Sequence, residues 1–590
     1  MLLFAFAVTF SPLMCIADSP GRITRFSESI FSERMPVLAA ENKISTDVIA
    51  DTAGGRHSSI VILLSSQPDL SDAYAIKDAD KRGWFVYRTL SENAKATQDS
   101  LRSYLDKKGI AYTAFWAANM IVADLDRETA VTIAGRTDVA RLDSNRPARW
   151  VESPEIAQER ITASKPDSSE AVEWGVTNVN APAVWNMGFN GNGITVGGLD
   201  TGIRWTHAAI KAKYRGWNGT TADHNYNWHD SIHSGGGVCG ANSVEPCDDS
   251  GHGSHTVGTM VGDDTAGNQI GVAPGAKWIG CRNMNVGDGT PASYAECFQF
   301  MIAPTDLAGN NPDPTKRPHI LNNSWGCPAS EGCTTRAELE TIVNNTQAAG
   351  IFVQSSAGNS GSACSTVSEA LAIYDASFAA GAIDINNALA SFSSRGPSTY
   401  YNPNILKPNI SAPGSGVRSI TRTSDTAYTS MSGTSMASPH VAGVIALLWS
   451  ARPTLVRNIA ATKALLQNTA NPGVTVATQT CGGTPSTQIP NNIFGYGRVD
   501  AFAAVTSISV SGRVVSPEGV AQRNILVSLT DSNNVRRSVT TSSFGIFSFD
   551  GVRANSSFTL SVSSKRYRFA PQVVTSGSSD LSVNDFVGLQ

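Results

Sequence analysis

Beyond its opening residues the chain has no apolar run long enough to cross a bilayer, so no membrane span is expected past that point. Charged residues make up only 16% of the sequence and the formal net charge is −4, which excludes both a polybasic nucleic-acid binder and a highly charged disordered chain. None of the 9 cysteines forms a C-x-x-C pair, so a zinc ribbon or a thioredoxin-type site is not expected. An H-E-x-x-H helix, the mark of one class of metallopeptidase, is also missing.

What the chain does have is length and glycine. Its 590 residues exceed what one hydrophobic core organises and suggest about two to four folded units. The 52 glycines fit a protein with many tight turns, in which sites stand on loops over a rigid sheet. MLLFAFAVTFSPLMCIADS reads as the hydrophobic and cleavage regions of a signal peptide, residues 1–17, although it lacks the basic start usual for one. Export is therefore expected, and Cys15, in a poor lipobox, leaves with the signal. The eight remaining cysteines suggest disulfides. Short spacing makes Cys239–Cys247 and Cys327–Cys333 the natural local pairs, leaving Cys281, Cys297, Cys364 and Cys481 with three possible pairings.

Residues 18–57 are polar and aperiodic, and are expected to form a flexible lead-in. From Ser58 to residue 150, SSIVILL reads as a strand, Arg88 to Lys108 as a helix, AYTAFWAANMIVADL as further strand, and RETAVTIAGRTDVARLD as a helix leading to a last strand. Together they suggest a small two-layer α+β unit. Residues 151–171, rich in Ser, Glu and Pro, read as an exposed linker. In residues 172–505 the runs GITVGGL, KWIGCRNM, HILNNSW, IFVQSSAG and SFAAGAI have the near-continuous apolar character of buried parallel strands, separated by helical stretches. The expected fold is an α/β three-layer arrangement whose site lies at the carboxyl ends of a mostly parallel sheet. Residues 506–590 read as a small all-β sandwich of five alternating strands.

Four segments carry candidate chemistry. GITVGGL ends in Asp200-Thr201-Gly202, where a turn can hold an ionised carboxylate that accepts from an imidazole; alone, such an Asp serves a turn more often than catalysis. Ser250 to Gly258 opens a helix of small residues with His252 between glycines, placed to act as a general base. A metal reading is disfavoured, because His252 and His255 stand three apart. In Ser432 to His440, small residues let Ser435 project from a loop-to-helix turn whose N-terminal dipole suits an oxyanion, although a capped core helix has the same pattern. IFVQSSAGNSG breaks at Gly358 into Asn359, whose amide can supply a second hydrogen bond to that oxyanion.

In this order, D-T-G, H-G-x-H, N-N-S-W-G, A-G-N and G-T-S-M-A-S-P-H-V-A-G resemble the subtilisin-like serine peptidase family across the whole central domain. The resemblance implies Asp200 as the residue that orients and stabilises the imidazolium, His252 as proton shuttle and Ser435 as nucleophile, with Asn359 and the Ser435 N–H as oxyanion hole. It further implies substrate-binding roles for Ser324, Trp325 and Gly326 by β-strand addition, and for Ser355, Ser356, Ala357 and Gly358 as the opposite wall of the specificity pocket. The pocket floor is expected in Ser365 to Ser368, where the sequence departs from the commoner glycine-bearing pattern.

HNYNWHD, GVAPGAKWIG and the insertion before NNSWG point to one branch of the family. The stretch Asp223-His224 to His229-Asp230 and His233 is expected to be a solvated polar loop rather than a metal cluster. Structural calcium is possible by family resemblance, without a ligand spacing to fix it, and catalysis is expected to need no cofactor. Residues 58–150 resemble an inhibitor-type propeptide, with self-cleavage expected between Trp150 and Glu173. Residues 506–590 resemble a carboxypeptidase regulatory-like domain. The expected partners are polypeptide substrates and the chain's own propeptide, acting on a secreted monomer. Two alternatives stand beside this: a catalytically silent relative that binds peptides or surfaces, and a lipase-like esterase, whose nucleophile would sit in G-x-S-x-G.

Overall fold

The computed structural model describes residues 40–149, 172–326, 337–398 and 405–589. Its centre is a sheet of seven parallel strands in the spatial order Ile410–Pro413, Phe378–Ile383, Phe352–Ser356, Ile320–Asn323, Thr195–Asp200, Lys277–Arg282 and Trp228–Asp230. Because side chains alternate along a strand, Ile320, Phe352 and Phe378 enter the core beneath helices His252–Val261 and Thr434–Ala451. Leu321, Val353 and Ala379 enter the opposite core, beneath helices Pro291–Ile302 and Ala337–Ala348. Burial on both faces accounts for the apolar runs that mark the five inner strands. The two edge strands, 4 and 3 residues long, carry no such run and escape a reading by hydropathy.

The N-terminal unit is an antiparallel sheet ordered Tyr112–Phe115, Met120–Leu125, Ser58–Leu64, Val139–Ser144, backed by helices Ala79–Lys108 and Arg127–Ala134. The long helix begins nine residues before the expected Arg88, capped by Asp78, which accepts from Lys81 N. Gly83 hides this first part from a propensity reading, yet a Cβ there would lie 2.5 Å from Arg317 Nη1, so glycine serves the contact with the central unit. The strand expected over AYTAFWAANMIVADL is a hairpin, broken at Asn119 with φ 45°.

The expected lead-in is corrected as well. Within residues 40–57, Ala40, Ile44 and Val48 are buried, Ser45 caps the helix Thr46–Asp51, and Ser45 N donates to Leu142 O at 3.0 Å. Those three apolar residues are spaced four apart, a helical signal too short to stand out in a polar segment. The signal peptide, residues 1–17, the linker, residues 151–171, and the Cys327–Cys333 pair lie outside the described residues.

The C-terminal unit is a sandwich of two four-stranded sheets closed over Val510, Val527, Leu529, Phe547, Phe549 and Leu560. It has eight strands where five were expected, the extra ones being Gln572–Thr575, Leu581–Ser582 and Phe586–Val587. Arg553 ties it to the central unit through Thr469 O and Asp500.

Disulfides join Cys239 to Cys247, as spacing suggests, and Cys281 to Cys297 and Cys364 to Cys481, which settles the pairing left open for those four. Beside the Cys281–Cys297 bridge, Glu296 takes His229 Nε2 at 2.7 Å and His233 Nε2 at 2.9 Å, clamping the edge strand onto the helix Pro291–Ile302. Burial alone raises the Glu296 pKa, but the two imidazole hydrogen bonds overcome it and pull it to about 2. The same hydrogen bond, outweighing desolvation, lifts His233 to about 9. A depressed carboxylate contributes stability above its free value of 4.5, lost as pH falls towards about 2, and a raised imidazole contributes below 6.5, lost as pH climbs through about 9. Glu296→Gln is therefore expected to lower Tm by about 1–3 °C between those free values, and to flatten the acid and alkaline limbs of Tm against pH. Calorimetry across pH checks this, and an unchanged profile contradicts it.

Candidate active site

Asp200 ends the strand Thr195–Asp200 and His252 begins the helix His252–Val261. Three chain segments crowd there. A Cβ on Gly253 would lie 2.2 Å from Gly202 O and 2.9 Å from Asp200 Cβ, and one on Gly202, with φ +106°, would lie 1.8 Å from Cys247 O. Glycine at both positions lets strand end and helix start touch, so that His252 Nδ1 donates to Asp200 Oδ1 at 2.7 Å. Thr201 N donates to the same oxygen at 2.8 Å, and both partners are buried, Asp200 at 2% and His252 at 8% exposure.

Asp248 holds this junction from below. Its carboxylate accepts from Thr201 Oγ1, from the Ser250, Gly251 and Ser254 backbone N–H groups and from Ser254 Oγ, while Thr201 Oγ1 takes Gly253 N, so the two together satisfy N–H groups at the start of the His252 helix. Sequence reading missed it. The available signal was an acidic residue four positions before His252, where a helix begins.

Ser435 lies in the first turn of the helix Thr434–Ala451, and within residues 431–440 it alone is partly exposed. Its Oγ donates to Ser324 O at 2.8 Å, and Ser324 Oγ donates back to Ser435 O at 2.8 Å. Next in the chain, the Trp325 indole N–H donates to Leu199 O at 2.9 Å, directly before Asp200. Adjacent strand ends thus bring together the nucleophile candidate, the Ser324 turn and the Asp200–His252 pair.

Asn359 Oδ1 accepts from Thr434 N at 2.9 Å and Thr434 Oγ1 at 3.0 Å. Thr434 Oγ1 in turn accepts from Gly358 N at 3.1 Å. Both ends of the Asn359 carboxamide and the Ser435 N–H lie close to Gly433: a Cβ there would be 3.6 Å from Asn359 Nδ2, 3.6 Å from Ser435 N and 3.8 Å from Asn359 Oδ1. Thr434, which binds the carboxamide oxygen, was not singled out from the sequence, because its role depends on a partner 75 residues away.

Ser324 and Trp325 are buried, and the Trp325 ring stacks on Tyr294 at 4.0 Å, so this segment has main chain rather than side chains to offer a substrate. Ser355 and Ser356 end the strand Phe352–Ser356, buried like Ala357, and Ser356 Oγ reaches Trp325 O at 3.5 Å, joining the two expected walls. Ala148–Arg149 pairs antiparallel with Asp288–Gly289, which pairs with Met284–Asn285, so the end of the N-terminal unit lies as an added strand on the central unit.

The loop expected to be merely solvated is structural. Asp230 binds the fully buried Arg282 guanidinium at 2.9 and 2.7 Å, His224 meets Tyr214 OH at 3.0 Å, and His229 and His233 share Glu296. Among the described residues, no group of three or more His, Cys, Asp or Glu side chains is placed to hold a metal ion, and no helix is long and apolar enough to cross a membrane.

A parallel α/β sheet bearing a carboxylate–imidazole pair, a partly exposed serine at a helix start and an asparagine carboxamide at neighbouring strand ends is the arrangement of subtilisin-like serine peptidases. The chain belongs to the subtilase family, whose model matches residues 191–497. It is 32% identical to bacillopeptidase F of Bacillus subtilis (strain 168) over 520 residues, 84% of this chain and 34% of that protein. M-protease of Shouchella clausii (strain KSM-K16) is 32% identical over 302 residues, 51% of this chain and 66% of the relative. Subtilisin Savinase of Lederbergia lenta is 32% identical over 287 residues, 48% of this chain and 87% of the relative. The chain thus spans about a third of the length of bacillopeptidase F, the branch to which its own motifs point.

Proposed function

We propose that the protein is a secreted serine endopeptidase that cleaves polypeptides through an acyl-enzyme and is made as a self-processing zymogen. The observation that carries the peptidase reading is the buried His252–Asp200 hydrogen bond at the strand end beside an accessible Ser435. His252 takes the Ser435 proton as Oγ attacks the scissile carbonyl, and Asp200 steadies the imidazolium. Asn359 Nδ2 and Ser435 N receive the oxyanion, His252 protonates the leaving amine, and water then releases the acyl group. The side chains named, the Ser435 main-chain N–H and water carry every step of this sequence, so no cofactor is invoked. A fluorophosphonate should label Ser435, and casein should be cleaved, which a lipase-like esterase confined to simple esters would not do. Failure to label rejects the enzyme in favour of a peptide-binding relative.

The zymogen reading is supported by how the N-terminal sheet is covered. One face packs on its own helices, whereas Val61, Leu63, Met120 and Val122 on the other share a core with helices Pro291–Ile302 and Ala337–Ala348 of the central unit. Arg82 donates to Ala348 O at 2.6 Å and Gln347 O at 3.0 Å, placing a cation at the carboxyl end of one of those helices. Gln299 on the other accepts from Trp116 N at 2.8 Å. With Ala148–Arg149 added as a strand to Asp288–Gly289, the unit is joined to the central unit through both its sheet face and its last strand, as an inhibitor-type propeptide would be. Cleavage in residues 151–171 would free a monomeric enzyme, with the C-terminal sandwich as a stabilising or surface-binding appendage. The three disulfides among the described residues favour an oxidising compartment.

Asn359→Ala is expected to lower kcat by about 10²- to 10³-fold with little change in KM, a scale known from subtilisin, a member of this family. The variant should unfold at nearly the parental temperature, since Thr434 keeps its bond to Gly358 N. Normal turnover removes Asn359 from the oxyanion hole.

A further inference from the structure

The pairing of Ala148–Arg149 with Asp288–Gly289 shows what this edge of the central unit accepts. Arg149 stands directly opposite Asp288 in the antiparallel ladder, its Nε 2.8 Å from Asp288 Oδ1, and its Nη1 donates to Val286 O at 2.9 Å. One guanidinium is thus read by a carboxylate and by a main-chain carbonyl at once. The two side chains are 47% and 44% exposed, and among the described residues Asp288 has no other ion-pair partner, so its carboxylate is open once Arg149 leaves. The receiving turn is held in an unusual shape. Val286, a β-branched residue, has φ 53°, a left-handed conformation that such residues avoid. Beside it Asn285 Oδ1 accepts from Gly236 N at 3.1 Å, and a Cβ on Gly237 would lie 2.9 Å from Val286 Cγ2. The buried Arg282 fixes that loop in turn, its Nη1 donating to Gly236 O at 3.0 Å. Contacts at both ends tie the turn to the site. Before it, Asn283 N donates to Asp200 O at 3.0 Å. After it, a Cβ on Gly289 would lie 2.0 Å from Tyr294 OH, and the Tyr294 ring stacks on Trp325, next to Ser324 and its bond from Ser435 Oγ.

We propose that Asp288 and the Val286 carbonyl form a subsite for a substrate arginine, filled by Arg149 in the precursor and by the polypeptide being cleaved after maturation. The inference rests on the zymogen reading and on Ser435 as nucleophile. Because Arg149 precedes the cut expected in residues 151–171, the matching substrate residue lies on the amino side of its own cut. Main-chain pairing receives any extended chain at this edge, and the side chain opposite Asp288 then decides preference. An arginine bonds Asp288 through Nε and Val286 O through Nη1 together, as Arg149 does, whereas a lysine brings a single point of charge. Arginine is accordingly preferred and lysine second, while Asp288 repels a glutamate or aspartate.

The test uses the matured full-chain enzyme, its active sites counted by fluorophosphonate titration, and neutral peptides with one fixed cut, in which a single Arg is moved from the second to the sixth residue before that cut. Wild type is expected to show one position where Arg raises kcat/KM by about 3- to 10-fold over Gln, mainly through KM, with the gain shrinking at about 1 M salt. Asp288→Asn is expected to remove the gain, and Asp288→Lys to replace it with a preference for Glu at the same position. A wild type that responds to Arg at no position overturns the proposal, whether or not the variants fold, and so does a gain that survives in Asp288→Asn. Labelled enzyme that cleaves the peptides without an Arg preference refutes the subsite alone. A precursor that never loses its N-terminal unit refutes the zymogen reading, and absent labelling with no cleavage removes the nucleophile; either takes the proposal with it.

Discussion

Ser435→Ala is expected to lower kcat by about 10⁶-fold, the scale known for loss of the nucleophile in subtilisin, and to leave the precursor uncut. The size follows from what remains. The Asn359 carboxamide and the Ser435 N–H proposed to receive the oxyanion remain, and the Asp200–His252 pair is intact, but no side-chain oxygen is left for the imidazole to deprotonate. Residual hydrolysis should come from water alone, about 10³- to 10⁴-fold above the uncatalysed rate. Removing the hydroxyl breaks one hydrogen bond, to Ser324 O, while the reverse bond from Ser324 Oγ to Ser435 O stays. The variant should therefore fold, and an intact precursor on mass spectrometry would separate lost chemistry from lost structure. A purified Ser435→Ala precursor that matures at the normal rate would contradict self-processing.

The parts of this arrangement legible in the sequence are those that a local pattern enforces. GITVGGL and IFVQSSAG must be apolar throughout because the sheet is covered on both faces, so their ends, Asp200 and Asn359, can be located from hydropathy alone. The glycines around His252 are local signals of a distant fact: they exist because Gly253 meets Gly202 O, a contact that the sequence marks without naming its partner.

Asp248 and Thr434 carry no such mark. Each is an ordinary residue whose role is set by groups brought to it from elsewhere in the fold. The edge strand Trp228–Asp230 was read as solvated loop for a related reason. Its polar residues are satisfied by Arg282 and Glu296, partners 52 and 67 positions away, rather than by water.

Asp200→Asn is expected to cost about 10⁴-fold in kcat with little change in KM. The asparagine can settle in either of two ways, and both are unproductive. If its oxygen stays on the Thr201 N and His252 Nδ1 side, the imidazole keeps the useful tautomer but loses the negative charge that stabilises the imidazolium in the transition state. If its NH2 group turns to Nδ1 instead, the ring must carry its proton on Nε2, and no lone pair remains there to accept from Ser435. The protein should remain folded, because Asp248 still caps the His252 helix and Gly253 still packs on Gly202. Measured by active-site titration and casein hydrolysis, a variant that retains more than about a tenth of parental kcat would remove Asp200 from the triad, and the chemistry assigned to His252 would need another anchor.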